Sequence, residues 1–168
     1  MRKTVAILAV IIALAPVNSV SAKTISEEQK GVISANCSSI KFRLQKVQKD
    51  GPKSRVHLGA QYEALSTGLM MNLNLRLVKN DLANADIASQ QSDFAAEREQ
   101  FKQNFISYSQ GLDDLLNIDC RAEPQKFYDK LEKVREKRGM INESISRINK
   151  IIKTHRESIV QLKEDLGE

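Results

Sequence analysis

Four side chains in this sequence could do chemistry beyond simple charge: Cys37, His57, Cys120 and His155. Their spacing argues against a reaction centre. Neither histidine has another histidine, cysteine or carboxylate at a metal-ligand interval. The cysteines are far apart and form no Cys-x-x-Cys pair for thiol exchange. No glycine-rich phosphate loop and no nucleophile elbow occurs. Carboxylates are plentiful but fall among Lys and Arg, a pattern that suits i,i+4 support of helices better than acid–base work. Asp113 and Asp114 read most simply as surface residues near a helix end. Asn36-Cys37-Ser38 and Asn142-Glu143-Ser144 match glycosylation acceptors, but both lie within expected helices and read as chance matches. The expectation is a protein that is not an enzyme and holds no cofactor or metal.

What the cysteines do depends on compartment, and the first 22 residues speak to that. "MRKTVAILAVIIALAPVNSVSA" opens with Arg2 and Lys3, continues through an apolar run from Val5 to Val17, and ends in Val20-Ser21-Ala22. This is the three-part pattern of a signal peptide, with cleavage expected after Ala22. The apolar run would span roughly 20 Å as a helix, against a bilayer core of about 30 Å, and Pro16 would interrupt it. An uncleaved anchor is therefore the weaker reading. The expected localisation is outside the cytoplasm: periplasm, cell surface or medium. An exported chain with two cysteines is a disulfide candidate. A Cys37–Cys120 bridge would close a loop of about 84 residues and contribute roughly 4 kcal/mol by chain entropy. Two buried free thiols are the alternative.

The elements that must position these residues are helices. Only seven Gly and three Pro occur in 168 residues, with no Trp, so a loop-rich or disordered chain is excluded. From Phe127 onward, steps of four and three visit Phe127, Leu131, Val134, Arg138, Ile141, Ile145, Ile148, Ile152, His155, Ile159, Leu162 and Leu166. Ten of these twelve are apolar, which is a coiled-coil signature. Pro124 suits the first turn of that helix and Gly167 its end. Arg138 and His155 interrupt the stripe. They read either as specificity devices or as places where the seam is partly exposed and the side chains reach out to water; the second is favoured. Gly139 beside Arg138 is a candidate kink.

The other expected helices cover about 26–50, 54–71 and 92–118, with the long one at 124–166. In the first, Ile33, Cys37, Ile40, Leu44 and Val47 form the stripe, Ser26 with Gln29 makes a capping box, and Asp50-Gly51-Pro52 is the stop. Leu58, Tyr62, Leu65 and Leu69 share a face of the second. Residues 72–91 read as a helix end and a polar connection. Phe94, Phe101, Phe105, Tyr108, Leu112 and Leu115 form the stripe of the third, and aromatics at this spacing are core. The fold expected is all-α: an antiparallel bundle or set of helical hairpins, one domain over 23–168, with a long C-terminal coiled-coil helix.

Charge is uneven. Without Arg2 and Lys3 the chain keeps 24 of its 26 basic residues and all 21 acidic ones, so the mature form stands near +3. Lys41, Arg43, Lys46, Lys49, Lys53 and Arg55 crowd one stretch, opposed only by Asp50. They are a candidate patch for an anionic envelope surface, or simply a solvated helix face. Nucleic acid is not expected, because the mature chain is nearly balanced and exported.

The runs "RVHLGAQYEAL", "LNLRLVKN", "YSQGLDDLLNIDC" and "FYDKLEKVREKR" resemble segments of uncharacterised exported helical proteins of small-genome bacteria. The resemblance covers most of the mature chain and carries over no activity and no functional residue. In size, export signal and basic pI the chain is also similar to periplasmic holdase chaperones with helical arms, without a shared motif. The functional expectation is an exported, non-enzymatic helical binding or scaffold protein that meets a protein partner or itself through its helices. The alternative is a holdase. N-terminal sequencing of the exported protein should begin at Lys23; a chain that still starts at Met1 would remove the export reading.

Overall fold

The computed structural model describes residues 24–167, so the expected signal peptide, 1–22, lies outside the described residues. The fold is all-α. Helix α1 runs Glu27–Glu63, a π-helical segment Ala64–Met70 follows, and α2 continues through Met71–Lys79. Helix α3 covers Ala85–Leu116 and α4 covers Pro124–Asp165. No strand occurs among the described residues. The first three segments follow one another without a break, so the chain forms three rods joined by two short connections.

Helix ends follow the expected chemistry. The Ser26 hydroxyl accepts from the Gln29 N–H at 3.2 Å, and the Gln29 amide oxygen accepts from the Ser26 N–H at 3.0 Å. Asn84 caps α3 by accepting from the Ile87 N–H at 3.0 Å. Pro124 occupies the first turn of α4, and Gly167 takes a φ of 76° just beyond its end.

Two boundaries differ from the sequence expectation. Helix α1 does not stop at Asp50-Gly51-Pro52 but passes through Pro52. Pro52 is exposed, so its missing donor leaves the Gln48 carbonyl facing water instead of an apolar interior. Gly51 lies 3.6 Å from the Phe105 ring where a Cβ would stand, so this turn packs closely on α3. The second correction concerns residues 72–91. They are helical except near residues 80–84, and Ile87 is completely buried at the start of α3. Between them, Tyr62, Ser66 and Met70 are buried at intervals of four. The wider π turns, with the Met71 N–H donating to the Ser66 carbonyl, hold that interval on one face. Gly139 makes no break, since α4 runs through it.

Helices α3 and α4 pack antiparallel and form the main body. Phe127, Val134, Ile141, Ile148 and His155, seven residues apart, are all buried on α4. They meet Phe94, Phe101, Leu112 and Leu115. A flanking row on α4 is polar and bonds to α3. Lys130 reaches Asp114 at 2.6 Å, Lys137 donates to the Ser107 carbonyl at 3.1 Å, Ser144 accepts from Asn104 at 2.9 Å, and Ser158 accepts from Gln90 at 2.8 Å. As the α4 residues ascend, their partners descend α3. The other flank, with Leu131, Ile145, Ile152 and Ile159, is half-buried, and part of it packs on α1.

Cys37 and Cys120 form a disulfide, with Cα atoms 5.6 Å apart. It ties the N-terminal part of α1 to the α3–α4 turn. Arg121 adds a bond to the Ser38 hydroxyl at 2.8 Å, and the Ile25 N–H donates to Gln125 at 3.1 Å. Farther along, Tyr62 meets Phe94 and Phe101 edge-on, with ring centroids 6.2 and 5.5 Å away. Replacing Pro52 with Ala should restore one backbone bond and raise stability by up to about 3 kcal/mol. An unchanged or lowered unfolding midpoint for Pro52→Ala would mean that the proline ring itself is needed at this turn.

Candidate functional site

The two ends of the bundle differ. At the disulfide end three elements converge: α1, the α3–α4 turn and the start of α4. At the other end α2 touches α3, but no Cα of α2 lies within 8 Å of a Cα of α4. The divergence leaves a groove of about 530 Å³. One wall is Leu65, Leu69 and Leu73; the other is Ile152, Ile159 and Val160. Leu69 is 63% exposed and Val160 50%, so the walls present apolar surface to water. These residues stand here because the flank of α4 that α1 covers nearer the disulfide has no α2 backbone close to it at this end. The outer face of α2 carries a second apolar row, Met71, Leu75 and Val78, also exposed.

Charged groups border the groove. Arg76 of α2 and Arg156 of α4 line it, and neither makes an ion pair or side-chain hydrogen bond among the described residues. His155 lies in the lining too and is 7% exposed, against the expectation of a partly exposed seam. Its Nδ1–H donates to the Gln90 amide oxygen at 3.1 Å, and that amide donates onward to Ser158. The α3 partner thus supplies the polar contact that allows an imidazole at a core position. Arg138, the other break in the stripe, is exposed as expected.

The six cations at 41–55 do not form one face. Lys41 stands beside Asp119, whose carboxyl lies below its usual range chiefly because the Arg121 and Ala122 N–H groups donate to it. Arg55 lies over the Phe105 ring, 5.8 Å from its centroid. Lys53 pairs with Asp50 at 3.4 Å. Arg43, Lys46 and Lys49 are exposed and have no ion pair among the described residues. Sequence reasoning named this patch and missed the groove, because residues 72–91, which hold Leu73 and Arg76, read as a helix end and a polar connection.

Among the described residues no group of three or more His, Cys, Asp or Glu could hold a metal ion, and no helix is long and apolar enough to cross a membrane. Comparisons with protein-family models, curated proteins and solved structures find no match for this chain.

Burial pushes the His155 imidazole below its ordinary value of 6.5. The folded chain therefore keeps it neutral where the unfolded chain takes up a proton. Its contribution to stability is complete above pH 6.5 and is lost as pH falls from there toward the lower folded value. In His155→Gln, thermal midpoints between pH 7 and pH 5 should decline less than in the parent; parallel declines would clear His155 of the effect.

Proposed function

We propose that this protein is an exported, non-enzymatic helical binding protein whose recognition surface is the groove between α2 and α4. One observation carries the reading. A bundle pinned at one end by a disulfide and sealed in its middle by an aromatic cluster leaves apolar walls uncovered at the other end. A volume of about 530 Å³ falls in the range of roughly 300–1,000 Å³ usual for small-molecule sites. Export rests on the N-terminal sequence pattern, and the disulfide is compatible with an oxidising compartment. Arg43, Lys46 and Lys49 would orient the molecule toward an anionic envelope surface.

The exposed row Met71, Leu75 and Val78 favours a second reading, a holdase that shelters apolar segments of unfolded envelope proteins. Both readings are tested on the processed chain with its disulfide intact. The neutral dye N-phenyl-1-naphthylamine should bind with a single-site increase in emission. Leu73→Glu, which places a charge on the groove wall, should abolish binding while helicity is retained. Dye binding that survives this substitution would place the site elsewhere. Suppression of client aggregation at equimolar protein would favour the holdase.

A further inference from the structure

The groove is apolar along its walls and cationic at its border, and that pairing selects a ligand. We infer that it binds one long-chain carboxylate of the fatty-acid type, with the alkyl chain between the α2 and α4 walls and the headgroup on Arg76 and Arg156. This rests on the groove being the recognition surface proposed above, and adds the chemical class of its occupant.

Three observations carry it. Leu65, Leu69 and Leu73 face Ile152 and Ile159, and the lining holds no carboxylate; Asn72 and His155 are its polar side chains besides the two arginines. Arg76 and Arg156 come from opposite walls and are both exposed, without a partner in the described residues. Guanidinium forks match a carboxylate in two parallel charge-assisted bonds. The third is shape: the groove is an open trough of about 530 Å³, and a single flexible chain can lie along it.

The test uses the processed, disulfide-bonded chain and three probes of equal chain length below their aggregation concentrations: laurate, dodecanol and dodecylamine. Displacement of N-phenyl-1-naphthylamine and calorimetry report affinity and stoichiometry. Laurate should bind one to one, more tightly than dodecanol by about tenfold, and added salt should weaken it. Arg76→Ala with Arg156→Ala should erase that preference, so that laurate and dodecanol displace the dye at equal concentrations. Dodecylamine should bind most weakly. The inference is overturned if laurate does not bind, if it binds at several equivalents, or if the double substitution leaves its affinity intact. It is also overturned if dodecanol equals laurate; in that last case the groove stands as an apolar site and only the headgroup assignment falls. Failure of the dye itself to bind would instead remove the groove reading.

Discussion

The antiparallel seam between α3 and α4 is the constraint on which the rest of the structure depends. An apolar stripe alone would tolerate a slip of one heptad, because Ile and Leu interchange at modest cost. The polar row beside it does not. Lys130, Lys137, Ser144 and Ser158 each find a different partner on α3, and Asn104 reaches both the Ser144 hydroxyl and the Met140 carbonyl. A slip would part the buried Asn104 amide N–H groups from Ser144 and the Met140 carbonyl, at a cost of about 1–3 kcal/mol for an unmet donor. Register is thus set by polarity and adhesion by apolar area. The same division gives α4 two unlike flanks, one that bonds to α3 and one that is apolar, part of which accepts α1.

Helix α1 and its continuation lie on that apolar flank in a graded way. The disulfide, Arg121–Ser38 and Ile25–Gln125 hold one end; Tyr62 among the Phe rings holds the middle. Beyond Met70 only α3 stays close. The π-helical turns sit just before this point and rotate the face that follows, so that Leu69 and Leu73 line the groove while Leu77 is buried. The covalent tie at the far end means that divergence here does not loosen the whole rod. A ligand that bridged the two walls would replace the contact that α2 and α4 do not make.

Much of this was legible in the residues and some was not. The long C-terminal helix, its caps, the aromatic stripe of α3 and the cysteine pair could all be read, since each is written in local periodicity or in a simple count. The stop at Asp50-Gly51-Pro52 was misread because propensity is a weak term: one lost backbone bond at an exposed turn is outweighed by packing on both sides of it. Residues 72–91 read as a helix end and a polar connection because Leu73, Leu75 and Leu77 alternate instead of keeping helical spacing, and nothing local shows that they serve groove wall, exposed outer face and core in turn. His155 and Arg138 occupy equivalent-looking breaks, yet only His155 has Gln90 opposite it. The cationic run looked like one patch because sequence proximity hides rotation around a helix, and Asp119 and Phe105, which engage its two ends, come from another element.

By itself, then, the sequence determined that this chain is helical, that its apolar rows need one another, and that its chemistry-bearing side chains lie too far apart in the chain to form any recognised motif. Those are consequences of composition and period, which act within a few turns. Only the tertiary structure decided that three rods form, that Cys37 and Cys120 meet, that His155 is buried, and that one end of the bundle stays open. Each of those depends on which flank of α4 faces which neighbour, and on where along the rods the axes part. Such choices are made by packing and register between elements distant in sequence, and no local pattern encodes them.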